Sequence, residues 1–150
     1  MWFSVDPGAN TAVAVWDSSE LIGVQVLPQR TGTHSRRMER LAAWFDRLLA
    51  KHEPASVAVE RPRYMERRHV TAASGDLVKL VEAYAILWGV TVARCGPRVW
   101  RAVEVNEWKG QLTKAMTATR VRATLRNRWA FRTDHEWDAV GIGLYVTGRF

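Results

Sequence analysis

Near its start the chain reads Trp2-Phe3-Ser4-Val5-Asp6-Pro7-Gly8, a short apolar strand that ends in an acidic residue. Pro7 cannot prolong a strand ladder and Gly8 permits a sharp turn, so we expect Asp6 to stand at a strand end with its backbone fixed. Residues 11–16 alternate as strands do, and an apolar run over residues 21–27 follows a turn at residues 17–19. These patterns predict a three-stranded antiparallel meander.

The rest of the chain alternates helical and strand-like patterns. A helical period covers about residues 35–51, and Ser56-Val57-Ala58-Val59-Glu60 is a buried strand that ends in a charge. A basic loop, a helix over about 71–89 with apolar residues on more than one side, and a fifth strand at 90–93 come next. An arginine-rich helix at about 113–129 and a last helix at about 135–147 complete the chain. We predict an α/β fold with a mixed five-stranded sheet flanked by helices.

Length and composition indicate one ordinary globular domain spanning residues 1–150. Apolar residues make up 47% of the 150 residues and charged residues 25%, and no repeat or flexible linker divides the chain. A single cysteine, Cys95, excludes an internal disulfide and a cysteine-based zinc site. No apolar run approaches the ~20 residues that span a bilayer, and we see no signal peptide. We therefore expect a cytoplasmic protein without membrane contact.

The charge of the chain points to a polyanionic partner. There are 22 Lys and Arg against 15 Asp and Glu, a net charge of +7, and most of the basic residues are arginines, which contact phosphate bidentately. From composition alone, a charge that serves only solubility and an anionic membrane surface as partner remain alternatives. Four arginines of the predicted 113–129 helix can follow a phosphate backbone or form a solvated face: Arg120, Arg122, Arg126 and Arg128.

Acidic residues at three places carry the predicted chemistry. If the strands that end in Asp6 and Glu60 are parallel neighbours, their carboxylates emerge on the same side of the sheet. In Asp134-His135-Glu136-Trp137-Asp138, residues three and four apart share a helix face, so Asp138 and either His135 or Asp134 point to one place. Converging carboxylates need a cation, and oxygen ligands suit Mg²⁺ or Mn²⁺. Two ions about 4 Å apart form a common nuclease centre.

Each element taken alone has a simpler interpretation. Asp134 is well placed to be the N-cap of the last helix, and Glu60 would serve as an ion-pair partner of Arg61 or Arg63. Only the combination of the three elements in this order favours catalysis.

The combination resembles the RuvC-type Holliday junction resolvases. The resemblance rests on Val5-Asp6-Pro7-Gly8, on Val57-Ala58-Val59-Glu60 and on His135-x-x-Asp138-Ala139, and it covers essentially the whole chain. Val105-Asn106-Glu107-Trp108-Lys109-Gly110, followed by Lys114, is similar to the compact phage-encoded branch. The resemblance implies a ribonuclease H-like fold, a homodimer, Mg²⁺ or Mn²⁺ with no small-molecule cofactor, and paired nicking of four-way DNA in a bacterial cell or phage-infected host.

The resemblance also assigns roles to individual residues. Asp6, Glu60 and Asp138 match the acidic metal ligands of the family, and His135 stands where members have a carboxylate or histidine, for metal contact or for handling the leaving group. Lys109 and Lys114 match phosphate-contacting lysines, with Lys109 also at the catalytic centre. Tyr64 is the candidate for stacking on a base of the junction. We expect the neighbouring arginines to face phosphate: Arg61, Arg63, Arg67 and Arg68.

Four functions remain open on the sequence. A dimeric junction resolvase, with its interface on the helix at about 71–89, is the leading hypothesis. A branched-DNA or flap nuclease would use the same carboxylates, and a non-catalytic junction-binding module would have kept only the fold. A ribonuclease acting on RNA–DNA hybrids has the right chemistry but lacks support from the motifs around Trp108 and the last helix.

Overall fold

A computed structural model describes residues 1–8, 10–27, 32–62 and 75–150 of the chain. Its strands are β1 (Trp2–Asp6), β2 (Ala12–Asp17), β3 (Glu20–Val26), β4 (Val57–Arg61) and β5 (Trp100–Glu104). Its helices are α1 (His34–His52), α2 (Asp76–Cys95), α3 (Val105–Trp108), α4 (Lys114–Thr124) and α5 (Asp134–Val146). None of the helices in the described ranges is long and apolar enough to cross a membrane.

The five strands form one mixed sheet in the order β3-β2-β1-β4-β5. β1 pairs with β2, and β2 with β3, in antiparallel fashion, which confirms the predicted meander. β4 lies parallel to β1 on one side and to β5 on the other. The predicted fold class, α/β with a mixed five-stranded sheet, is therefore confirmed.

The predicted position of the fifth strand is wrong. Residues 90–93 belong to α2, in which Ala83, Leu87 and Thr91 recur every four residues and are all buried. The β-branched run Val90-Thr91-Val92 favours a strand locally, but packing of this helical face overrides that propensity. The real fifth strand, β5, escaped prediction because it lies at the sheet edge and exposes Arg101 and Ala102, which hides the alternation of a buried strand.

Two predicted helices have different ends in the structure. The arginine-rich helix α4 ends at Thr124 and not near residue 129, because Arg126 and Asn127 take left-handed backbone conformations with φ of 52° and 57°. The helix predicted over 71–89 begins at Asp76 and continues to Cys95, while residues 71–74 lie outside the described residues.

One face of the sheet packs against α1 and α2 through a large apolar core. Phe3 and Val5 of β1 and Val57 and Val59 of β4 point to this side, where Phe45 of α1 is completely buried among them. Alternate residues of the same strands therefore face the opposite side.

The opposite face is built so that α5 lies close to the sheet. Ala12 and Ala14 of β2 are small, and Gly143 of α5 contacts the indole of Trp16 on the same strand so closely that a Cβ there would lie 2.3 Å from ring atoms. The Ser4 hydroxyl accepts a hydrogen bond from Trp16 Nε1 and donates one to the Ala139 carbonyl, each 2.7 Å long. These contacts fix α5 against β1 and bring its first turn to the end of that strand.

Candidate active site

Asp6 and Glu60 lie side by side at the carboxyl ends of two parallel strands. Val5 of β1 pairs with Val59 of β4, so the next residue of each strand stands at the same edge of the sheet. Because Val5 and Val59 point to the α1 side, Asp6 and Glu60 point to the α5 side. The prediction that both carboxylates emerge on one side of the sheet is confirmed.

The first turn of α5 brings the remaining groups to this edge. Thr133 caps the helix by accepting a hydrogen bond from the Glu136 backbone, and the Glu136 carboxylate accepts one of 2.7 Å from the Thr133 N–H. The N-cap is therefore Thr133, and the interpretation of Asp134 as the cap is wrong. His135 and Asp138 lie three residues apart on one helix face, as predicted.

His135 is bound directly to Asp6. Its Nδ1 lies 2.6 Å from Asp6 Oδ2, while Asp6 Oδ1 accepts a hydrogen bond of 3.0 Å from the Gly8 N–H. A Cβ at position 8 would lie 2.4 Å from the His135 imidazole, so the close approach of this ring favours glycine there. The hydrogen bond to Asp6 raises the pKa of His135 above its usual value.

Glu60 is held by Trp108, a partner that the sequence did not indicate. The Trp108 Nε1–H donates a hydrogen bond of 2.9 Å to Glu60 Oε2. The indole is buried against Phe150, at a centroid distance of 5.6 Å, and against Gly141, where a Cβ would lie 2.7 Å from the ring. Trp108 therefore packs in the core and also orients a carboxylate.

The two lysines form ion pairs at the same edge. Lys109 Nζ lies 2.7 Å from Asp138 Oδ2, and both side chains are about 15% exposed. Lys114 Nζ lies 2.8 Å from Asp134 Oδ2, in a pair that is mostly exposed. Lys109 is therefore part of the carboxylate cluster, and Lys114 lies at its rim.

The electrostatics show that negative charge is crowded at this edge. Burial raises the pKa of Glu60 to about 8, and the nearby Asp6 and Asp138 carboxylates add to the rise. Burial also raises the pKa of Asp138, although its ion pair with Lys109 acts in the opposite direction. A cluster in which one carboxyl keeps its proton at neutral pH is typical of functional sites.

The donor set fits a divalent cation in its chemistry. Asp6, Glu60 and Asp138 offer oxygen ligands, and a cation would relieve the repulsion that raises the pKa of Glu60. Each of these carboxylates nevertheless contacts a different side chain: Asp6 contacts His135, Glu60 contacts Trp108 and Asp138 contacts Lys109. The described residues contain no group of three His, Cys, Asp or Glu side chains arranged to hold an ion. A bound cation would therefore compete with Lys109 and His135 for the carboxylate oxygens of Asp138 and Asp6.

The remaining predicted residues fall into two groups. Arg61 ends β4, where its side chain pairs with Glu104 at 3.2 Å, so it is not the partner of Glu60. Four others lie outside the described residues: Arg63, Tyr64, Arg67 and Arg68.

Among the functional features that sequence reasoning missed, one left a readable signal. The capping box of α5 is the pattern Thr133-x-x-Glu136, which precedes the apolar part of the helix. Trp108 and Gly141 left none, because they lie far from Glu60 along the chain.

The fold is that of the Holliday junction resolvase RuvC. The described structure is similar to T. thermophilus RuvC in complex with a Holliday junction substrate, with a TM-score of 0.72, 22% identity, and 96% of this chain and 90% of that chain covered. A second T. thermophilus RuvC structure has a TM-score of 0.69 and 21% identity, with 96% of this chain and 91% of that chain covered. The yeast mitochondrial Holliday junction resolvase Ydc2 has a TM-score of 0.60 and 13% identity, with 99% of this chain and 80% of that chain covered. No protein-family model and no curated protein matches the sequence.

Proposed function

We propose that this protein is a structure-selective DNA endonuclease that resolves four-way junctions by metal-dependent phosphodiester hydrolysis. The observation that carries the proposal is the convergence of Asp6, Glu60 and Asp138 at one sheet edge, with the pKa of Glu60 raised to about 8. The similarity of the fold to RuvC bound to a Holliday junction supports a junction as the substrate.

The three carboxylates are the proposed ligands of Mg²⁺ or Mn²⁺, a role that explains why they are crowded at one sheet edge. His135 is the fourth group at the same centre. Asp6, Glu60 and Asp138 would hold two such ions, which would supply activation of a water molecule and stabilisation of the leaving oxygen of a phosphodiester. Trp108 orients Glu60 through its indole N–H, and Gly8 leaves the room that the His135 ring needs beside Asp6. The capping box of Thr133 and Glu136 keeps the first turn of α5 in place.

The lysines are the proposed phosphate contacts. Lys109 is held near the carboxylates by its pair with Asp138, so its ammonium group can neutralise the charge that grows on the phosphate in the transition state. Lys114 is more exposed and fits a contact to a neighbouring phosphate. Arg61 and the adjoining residues Arg63, Tyr64, Arg67 and Arg68 are proposed to meet the junction, with Tyr64 stacking on a base.

The proposed homodimer forms through α2. Val78, Val81 and Trp88 expose about half or more of their side chains, and they lie with Ala85 on the side of the helix opposite the buried Ala83 and Leu87. An exposed apolar stripe of this kind favours a partner surface. A second copy with two-fold symmetry would place two active sites on one junction, as paired nicking requires.

The test is cleavage of a synthetic four-way junction, compared with linear duplex, a flap and an RNA–DNA hybrid, in Mg²⁺, in Mn²⁺ and in chelator. Paired symmetric nicks in the junction alone, abolished by chelator, are expected. Cleavage of every branched substrate would reduce the proposal to a general branched-DNA nuclease. If the protein binds the junction but does not cleave it in either metal, it is a non-catalytic binding module.

The same assay tests the assignment of the centre. Asp6→Asn should reduce junction cleavage by about three orders of magnitude or more while leaving junction binding in chelator intact, because the neutral amide is a poor metal ligand. Asp17→Asn, at the exposed end of β2, is the control. Cleavage by Asp6→Asn at the wild-type rate would contradict the assignment.

A further inference from the structure

The excess positive charge of the chain is concentrated in one segment. Residues 113–133, named here the arginine segment, carry six basic residues and no acidic residue, while the rest of the chain carries sixteen basic and fifteen acidic residues. The segment comprises α4 and the connection to α5. Six of the seven net charges therefore lie on one continuous piece of the fold.

Both ends of the arginine segment are fastened beside the carboxylate cluster. At its start, Lys114 pairs with Asp134, the first residue of α5. At its end, the backbone N–H groups of Arg132 and Thr133 donate to the Glu136 carboxylate. The positively charged segment therefore begins and ends beside the edge of the sheet that carries the carboxylate cluster.

Two guanidinium groups of the segment are held over aromatic rings. Arg122 lies over the Trp137 ring, 4.7 Å from its centroid, and Arg120 lies over Phe150 at 5.3 Å. Within the described ranges none of the segment's five arginines pairs with a carboxylate, and all five are exposed. Cation–π contacts immobilise an arginine and leave its N–H donors free for an anion.

The ring contacts favour a phosphate backbone over unpaired bases. Trp137 takes Arg122 on its face and Phe131 at its edge, with a centroid distance of 4.7 Å and an interplanar angle of 84°. Phe131 in turn stacks on Trp129. Rings already covered by each other and by arginine offer little surface for base stacking, which is how single strands are bound.

We propose that the arginine segment binds the sugar-phosphate backbone of a duplex DNA arm that extends from the active site. α4 spans about 15 Å, the length of four to five base pairs. The inference deepens the proposed function, since it takes DNA as the substrate of the adjoining site. It adds a second contact region, on α4 and the connection to α5, outside the carboxylate cluster.

The experiment measures duplex DNA binding in chelator as a function of salt concentration. Each phosphate contact contributes about 0.9 to the slope of log K against log salt concentration. The double variant Arg122→Gln/Arg128→Gln should lower the steepness of this slope by about 1.8. Between 50 and 200 mM salt, wild type should accordingly lose about tenfold more affinity than the variant.

The control variant Arg47→Gln/Arg98→Gln removes the same net charge at the other end of the sheet. Arg47 lies in the last part of α1, Arg98 lies just before β5, and both are exposed. Its slope should equal that of wild type. If the double variant fails to fold, Arg128→Gln alone, which leaves both ring contacts intact, should lower the slope by about half as much.

The outcomes separate this inference from the proposed function. Because binding is measured without metal, a protein that never cleaves junctions can still show the predicted slopes. An unchanged slope in the Arg122/Arg128 variant, or an equal fall in the control, would overturn the inference. Tighter binding to double-stranded RNA than to DNA of the same length would overturn it as well.

Discussion

Glu60 is the residue at which stability of the fold and the proposed function conflict. Its carboxyl is buried beside two other carboxylates, so the pKa lies near 8 instead of the usual 4.5. Ionisation is easy in the unfolded chain and costly in the fold. The folded protein therefore binds the Glu60 proton more tightly than the unfolded chain, and stability falls as the pH rises from about 4.5 to about 8.

Glu60→Gln should stabilise the metal-free protein at alkaline pH. The amide keeps an acceptor for Trp108 and carries no charge, so the free energy of unfolding at pH 8.5 should exceed that of wild type by up to about 4–5 kcal/mol. At pH 4 the two proteins should be equally stable. Urea unfolding in chelator at both pH values measures the difference. Glu39→Gln on the exposed side of α1 should show no such gain, and an equal gain there would contradict the explanation.

Trp108→Phe tests whether the indole N–H orients Glu60. Phenylalanine keeps an aromatic ring beside Phe150 but removes the donor of the 2.9 Å hydrogen bond, together with the indole edge that contacts Gly141. Loss of a hydrogen bond to a carboxylate costs about 1.5–3 kcal/mol, so the single-turnover cleavage rate should fall about ten- to a hundredfold. Junction affinity in chelator should remain unchanged. Trp2→Phe, which also removes an indole donor but lies at the start of β1, is the control.

At the scale of elements, the position of α5 depends on glycine. Gly143→Ala would place a Cβ 2.3 Å from the Trp16 indole, so the helix must move away from β1 or the ring must turn. Overpacking of this kind costs about 1–3 kcal/mol. Thermal unfolding should show the loss, and junction cleavage should fall further because His135 and Asp138 move with the helix.

Gly23→Ala in β3 is the matched control, because a Cβ there meets no atom within 4 Å. Its stability should stay close to that of wild type. A loss in Gly23→Ala as large as that in Gly143→Ala would mean that chain entropy or strand geometry, and not the close approach of α5, explains the result.

At the scale of the whole molecule, the proposed dimer is tested on the exposed side of α2. Val81→Glu/Trp88→Glu should give a monomer, because two charges in an apolar interface are costly to bury. Light scattering measures the oligomeric state. The monomer should leave single nicks where wild type makes paired cuts. The control is Ile22→Glu, at a similarly exposed apolar residue of β3, which should remain a dimer. If the Val81→Glu/Trp88→Glu variant is still a dimer, the interface lies elsewhere.

Local patterns in the sequence determined the meander, the strand that leads to Glu60, the fold class and the acidic residues of the site. Strand alternation and helical periodicity depend on residues that are close together in the sequence. A carboxylate at the end of a buried strand indicates a functional role because burial of a charge is costly. The same local reading failed at residues 90–93, where a β-branched run lies inside α2, and at β5, whose exposed edge position removes the alternation.

Only the tertiary structure decided which of these groups bond to one another and which further residues join them. Trp108 reaches Glu60 across 48 residues, and His135 reaches Asp6 across 129 residues. No short pattern encodes such contacts, because they depend on the strand order and on how closely α5 approaches the sheet. That approach is set by Gly143 against Trp16 and by the Ser4 hydroxyl, which are packing relations between distant residues and become visible only when the chain is folded.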